Sequence, residues 1–255
     1  MQNSKHVISL SIDLSRLSFI LLLLSFVSAC SHPRKMEETP DRFEHLNRSV
    51  YRVNDALDRR LFKPVAKVYN KYTPQIIDTS ITNVFANLDD VGNAINSLLQ
   101  FKAGEALIDT ERFIFNSTFG IAGIFDIATE MGLQKHEEDF GQTLAKWGVP
   151  SGPYIMLPLL GPSTIRDATA KLSVDIVTKP TTYSKYSWPL LVVDKLDQRA
   201  NLLSAEEVLK VFSDDQYSVL RGVWLQRREH LIRDGKVDED AQSDMIDELE
   251  DLDAE

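Results

Sequence analysis

Three places in the sequence carry residue types that suit chemistry. His136-Glu137-Glu138-Asp139-Phe140 begins like the His-Glu pair of a zinc-binding helix, but Phe140 stands where the second histidine is required. A solvated acidic helix start explains the same residues. Gly148-Val149-Pro150-Ser151-Gly152 sets a serine among glycines, yet the spacing is not that of a nucleophile elbow. His32, His45, His136 and His230 are scattered, so a Ser-His-Asp triad would have to be assembled by folding alone. Neither a G-x-G-x-x-G dinucleotide loop nor a G-x-x-x-x-G-K-[ST] phosphate loop occurs. The expectation is a protein that is not an enzyme, with no metal and no cofactor.

The only cysteine, Cys30, excludes an internal disulfide, a Cys-based zinc cage and an iron–sulfur cluster, each of which needs several thiols. Its surroundings give it another chemistry. Residues 1–16 are polar with Lys5 and Arg16, Leu17 to Val27 is apolar apart from serines, and Val27-Ser28-Ala29 leads into Cys30. That is a secretory signal with a small-residue cleavage site, and the cysteine beside it resembles a bacterial lipobox. Residues 1–29 are therefore expected to be a lipoprotein signal peptide, and Cys30 the acylated residue. The bland alternative is an ordinary signal with a free cysteine. Two or more acyl chains, each CH₂ contributing about 0.8 kcal/mol on burial, make a stable anchor. Ser31 rather than aspartate follows the cysteine, which by resemblance to bacterial lipoproteins favours the periplasmic side of the outer membrane. Residues 30–40, with two prolines, read as a tether.

A third group is basic. Arg221, Arg227 and Arg228, with His230 and Arg233 nearby, are candidates for contact with phosphate head groups; a wet helix face is the alternative. Against them stands a tail, residues 236–255, holding one lysine and ten acidic residues, expected to add little to folding. The chain as a whole carries a formal net charge of −10 and a charged fraction of 26%, which argues against nucleic acid as a partner.

The elements that must position these residues are mainly helical. Phe43, Leu46, Val50, Val53, Leu57 and Leu61 recur at steps of three and four, the mark of an amphipathic helix that Pro64 should end or kink. Thr73 is placed to cap a second helix with Pro74 at its first position, carrying Ile77, Ile81, Val84, Phe85 and Leu88. Asp89 or Asp90 is placed to cap a third through Val91, Ile95, Leu98 and Leu99. Residues 103–116 predict a fourth. Residues 117–162 then hold most of the glycine, and Gly152 to Pro162 is apolar but has too many prolines for a helix. This segment predicts a buried extended stretch or a short hairpin arm, with Tyr154, Met156, Leu157 and Leu159 as its apolar candidates. Ser163 should start a helix through Ile165, Ala168 and Leu172. Ser204 and Glu207 form a capping box, and a last helix runs from about Asp214 to a stop at Gly235. No apolar run reaches the roughly 18 residues of a membrane-spanning helix.

Read in order, the chain resembles the MlaA (VacJ) family of outer-membrane lipoproteins. Asp41-Arg42-Phe43-Glu44-His45-Leu46-Asn47-Arg48 is close to the family pattern D-P-L-E-x-F-N-R, with Leu46 and Asn47 at its end. Leu61-Phe62-Lys63-Pro64, Asn83-Val84-Phe85-Ala86-Asn87-Leu88 and Asn96-Ser97-Leu98-Leu99-Gln100 follow. Then come Arg112-Phe113-Ile114-Phe115-Asn116-Ser117-Thr118-Phe119-Gly120, Gly123-Ile124-Phe125-Asp126, Gly141-Gln142-Thr143-Leu144, Trp147-Gly148-Val149, Gly152-Pro153-Tyr154 and Gly161-Pro162-Ser163. The match covers residues 41–235. Arg42 for proline and His45 at a commonly small position are its departures.

The resemblance implies a lipid-anchored, ring-like helical single domain lying in the periplasmic leaflet of the outer membrane. It implies an amphipathic channel that admits phospholipids misplaced in the outer leaflet, a trimeric porin as neighbour and a periplasmic lipid-carrier protein as recipient, with no bond broken. A structural scaffold for porins that moves no lipid is the alternative, and a membrane-surface hydrolase a distant third. Residues 152–162 are the segment expected to line the channel or form a hairpin, an ordinary buried loop being the alternative. Irregular backbone at membrane depth is tolerated only when buried in protein or facing a water-filled cavity.

Overall fold

Helices form wherever proline and glycine are sparse, and their bounds follow local chemistry. The computed structural model describes residues 41–175, 184, 186–203, 205–206 and 215–236. Cys30, the tether, Ser204, Glu207, Asp214 and residues 237–255 lie outside them.

Helix α1 spans Glu44–Leu57 and leads through a π turn, Asp58–Phe62, into α2, Lys63–Tyr72. Pro64 therefore does not end the first helix. It lacks an N–H to give, and the turn before it widens so that the Lys63 N–H reaches Asp58 O, five residues back. Helix α3 spans Gln75–Leu99 without a break. Thr73 does not cap it; extended as residues before proline are, Thr73 closes α2 by donating its N–H to Tyr69 O at 2.8 Å. Nor do Asp89 and Asp90 start a new helix, because Asp90 is wholly buried in mid-helix, with Lys135 Nζ 2.5 Å from its carboxylate. Ala103–Thr118 is α4, and the short α5, Ile127–Glu130, is capped by Asp126. Asp139, not His136, caps α6, Phe140–Lys146, accepting from the Gln142 N–H at 2.9 Å.

Tyr154–Leu157 and Gly161–Thr164 are the strands β1 and β2 of an antiparallel hairpin, with Tyr154 opposite Thr164 and Leu157 opposite Gly161. Ser163 belongs to β2; Thr164 caps the helix that follows, α7, Ile165–Ala170, which ends in a π turn at Lys171–Asp175. Ser187–Asn201 is α8, and Gln216–Ile232 is α9. The chain is mainly α, a single domain, with one small sheet among the described residues.

Polarity is inverted. The helices meet through polar stripes: Asn87, Asp90, Asn93, Asn96 and Ser97 on α3 and Asp109, Arg112 and Asn116 on α4 are all buried, joined directly by Asp90 and Arg112 and otherwise bonded largely to the segment 126–143. Arg112 is the largest fully buried side chain among the described residues. Helix α8 likewise turns Asp194 and Asp197 inward, the latter accepting from Thr82 Oγ1 at 2.9 Å and Tyr69 Oη at 3.3 Å. Meanwhile Leu46, Val53, Leu61, Val68, Ile76, Leu98, Leu107, Phe119, Trp188 and Val192 are all exposed. Each would be stabilised by roughly 1.5–3 kcal/mol on leaving water completely. The buried hydrophobic side chains are mostly alanines, which let helices approach closely. Among the described residues no helix is long and apolar enough to cross a membrane.

One apolar cluster departs from this pattern. Tyr154 and Met156 from β1 and Tyr217 from α9 pack with Val50, Tyr51, Leu220, Trp224 and Leu225. Tyr154 meets the rings of Tyr217 and Trp224 edge-on at 6.4 and 5.9 Å.

Candidate functional site

Two clefts run along the N-terminal half of α3. One, about 480 Å³, is lined by Gln75, Ile76, Thr79, Ser80, Asn83, Ile124 and Phe125. The other, about 390 Å³, is lined by Ile77, Ser80, Ile81, Val84, Phe85, Ile124, Leu190 and Val193. They share Ser80 and Ile124, so they are neighbours, one mixing amide and hydroxyl groups with Ile76, Ile124 and Phe125 and the other almost wholly apolar. The loop carrying Ile124 is held by Asn83, whose side-chain amide donates to Ile124 O at 3.0 Å. Gly123 permits the close approach: its φ is +88°, and a Cβ there would stand 2.8 Å from Asn87 Cβ. An amphiphile would find hydroxyl and amide partners on one side and hydrocarbon on the other.

The hairpin is fastened to α1 by two asparagines seven residues apart, hence on one helix face. Asn47 Nδ2 donates to Tyr154 O at 3.2 Å, and Asn47 Oδ1 accepts from the Met156 N–H at 2.8 Å. Asn54 repeats the device at the turn, donating to Leu157 O and accepting from the Leu159 N–H, both at 2.9 Å. Asn47 thus pairs with β1 as a neighbouring strand would, and Asn54 with the end of β1 and the turn beyond it. Leu159 has φ +62°, uncommon for a side chain beyond glycine, and Asn54 braces that turn. Asn47→Leu should leave a buried N–H and C=O unpaired, costing roughly 2 kcal/mol or more. Asn47→Asp should lose only the donor half. Chemical unfolding followed by circular dichroism ranks the two, and equal stability of wild type and Asn47→Leu would contradict this role.

Of the expected segment residues, Tyr154 and Met156 lie in the hairpin strand, as the hairpin reading has it, and point into the apolar cluster. Their positions in β1 alternate with half-buried neighbours, so the pleat turns them inward. Leu157 is half-buried, and Leu159 projects from the hairpin tip. In the first helix Leu46 faces outward while Asn47 is buried.

The three arginines part company. Arg228 is buried and gripped by Asp139 at 2.5 and 2.8 Å and by Asp167 at 2.9 and 3.0 Å, so it is not a head-group contact. Gly141 lies against this cluster, with no room for a Cβ between Arg228 and Asp167. Burial pushes the Asp139 carboxyl up, but the Arg228 guanidinium and the backbone amides of α6 outweigh it and hold the pKa below the usual range. Arg221 lies over the Tyr154 ring, 5.7 Å from its centroid. Arg227 is exposed and pairs with Glu137 at 2.7 Å, a surface contact of at most about 1 kcal/mol.

His136 Nδ1 lies 2.9 Å from buried Asp109, and Glu138 pairs with Lys102 at 2.7 Å. No group of three His, Cys, Asp or Glu residues is placed to hold a metal ion among the described residues. The buried asparagines and Arg112 are the site elements that pattern reading missed. The signal was present: Asn87, Asp90, Asn93 and Asn96 recur every three residues.

A sequence profile described as MlaA lipoprotein matches residues 39–231. The chain is 30% identical over 252 residues to the intermembrane phospholipid transport system lipoprotein MlaA of Escherichia coli, covering 94% of this chain and 99% of that protein. An uncharacterised protein of Rickettsia bellii is 32% identical over 199 residues, 77% of this chain and 78% of its own length. A solved structure described as the structural basis for maintenance of bacterial outer membrane lipid asymmetry superposes with a TM-score of 0.67 at 30% identity, covering 75% of this chain and 98% of that one.

Proposed function

The chain belongs to the MlaA lipoprotein family, and we propose that it removes mislocalised phospholipids from the outer leaflet of the outer membrane and passes them to a periplasmic carrier, maintaining lipid asymmetry. The inverted polarity carries this reading. A helix bundle joined through Asn, Asp and Arg and clad in Leu, Ile, Val and Phe suits hydrocarbon surroundings, where polar contacts hold helices together and apolar ones do not. The paired clefts on α3 suit the cargo: head groups beside Thr79, Ser80 and Asn83, acyl chains beside Ile77, Ile81, Val84 and Phe85. No reacting group is needed, because moving a lipid breaks no bond. Arg221, over the Tyr154 ring of the hairpin, and Arg227, exposed beside Glu137, remain head-group candidates, with a trimeric porin as membrane neighbour.

The chain is organised for that task in four parts: a signal at residues 1–29, an acylated Cys30 with a tether to residue 40, a helical domain over residues 41–235 and an acidic tail over residues 236–255. Cys30→Ala should leave an uncleaved or released form, read by membrane fractionation. Normal processing and full recovery in the outer membrane would refute the anchor. Transfer itself is tested by reconstituting the protein in vesicles with labelled phospholipid and a soluble carrier. Release of label to the carrier only when the protein is present supports transport. Normal porin association with no release would favour the scaffold instead.

A further inference from the structure

A chain of net charge −10 carries one stretch of opposite character. From Arg59 to Tyr72 it holds Arg59, Arg60, Lys63, Lys67 and Lys71 and no carboxylate. Arg59 pairs with Asp55, and Lys63 with Glu206 at 2.6 Å. Arg60 and Lys67 are exposed and have no carboxylate partner among the described residues, and Lys71 is exposed with its Nζ 5.4 Å from the Tyr72 ring centroid. Arg60, Lys67 and Lys71 recur at steps of seven and four, so they share one side of the helix, over about 16 Å at 1.5 Å per residue.

The adjoining side is apolar and open. Leu61, Val65, Val68 and Tyr72 are between 46% and 72% exposed. The remaining side faces the body, where Ala66 is fully buried and Tyr69 reaches Asp197 of α8. One face therefore packs on protein, one offers hydrocarbon contact and one offers unpaired cations. Contiguous apolar and cationic faces are the layout of a helix lying in a membrane interface, apolar side among acyl chains and cations at the phosphates. We infer that α2 and the π turn before it form a binding surface for anionic phospholipid head groups, through Arg60, Lys67 and Lys71. This rests on the lipid-embedded reading above and adds a charge preference to it. An acidic polypeptide, such as this chain's own tail, would match the cations but leave the neighbouring apolar face in water.

The test uses the full chain reconstituted in phosphatidylethanolamine vesicles containing a minority of phosphatidylglycerol. Spin-labelled phosphatidylglycerol and spin-labelled phosphatidylcholine then report which lipid lies against the protein. Each cation near an anionic surface favours association by up to about fivefold. A several-fold preference for the phosphatidylglycerol label is expected, falling towards one in the Arg60→Gln, Lys67→Gln, Lys71→Gln triple variant of unchanged helicity. High salt should lower it in the wild type as well, a readout that needs no variant. No preference in the wild type, or an unchanged one in the folded triple variant, overturns the inference. A preference that emerges only after truncation at Gly235 overturns it in favour of the tail. Carrier transfer measured on the same vesicles separates the two readings. Preference without transfer sinks transport alone, and transfer without preference sinks this inference alone.

Discussion

Replacing Arg112 with methionine should cost about 3–5 kcal/mol of stability, the loss typical of a buried charge pair broken from one side. The guanidinium is 1% exposed and spans three elements. It donates to Leu133 O at 2.5 Å, Thr129 Oγ1 at 3.0 Å and Asp126 at 3.1 and 3.2 Å, and its Nε lies 3.4 Å from Asp90. Methionine matches the length but leaves Asp90, fully buried in α3, with Lys135 as its one remaining cation partner among the described residues. Burial, outweighing Lys135 and Arg112, already pushes the Asp90 carboxyl up in the wild type. Without Arg112 its pKa should climb further. A carboxyl whose folded pKa exceeds its unfolded value destabilises the fold as pH rises through the folded value, and that loss is relieved on acidification. The deficit of Arg112→Met should therefore shrink as pH is lowered from neutrality, and Asp90→Asn in the same chain should recover part of it. Urea unfolding in mild detergent at two pH values reads both effects. A variant within 1 kcal/mol of wild type would show that the polar interior does not hold the fold.

Ile81→Lys should abolish most lipid transfer while leaving the fold intact. Ile81 lines the apolar cleft with Ile77, Val84, Phe85, Leu190 and Val193, and is half-buried. In the free protein a lysine there can extend its ammonium into the open cleft, so the stability penalty is small. With acyl chains filling the cleft, the charge is desolvated at roughly 2.5–3.5 kcal/mol, a fall of about a hundredfold in occupancy. Ile81→Leu should transfer lipid normally. On the polar side Thr79→Val should act more mildly, since it removes one hydroxyl from an exposed wall. The measurement is label release to the carrier, with circular dichroism as the control for folding. Wild-type release by a folded Ile81→Lys would remove this cleft from the lipid path and return attention to the hairpin tip at Leu159.

Much of this architecture is written locally. The period of Phe43, Leu46, Val50 and Val53 marks a helix whatever surrounds it, and the prolines around Tyr154 exclude one. Sequence alone therefore determined the helical class, the place of the hairpin and the family. Boundaries were less legible where backbone adjustments absorbed a breaker, as the π turn does before Pro64, and where an aspartate suited to a cap found a buried partner, as Asp90 does in Lys135. Tertiary structure alone decided which way each helix faces. A periodic pattern of apolar and polar residues defines an axis but not its sign, and the sign depends on the solvent outside. In water Leu46, Val53 and Leu61 would turn inward; here Asn47 and Asn54 do, because β1 offers them backbone partners. The same holds for Arg228, which reads in sequence as a free surface cation. Only folding brings Asp139 and Asp167, distant in the chain, within hydrogen-bond reach and makes it part of the interior.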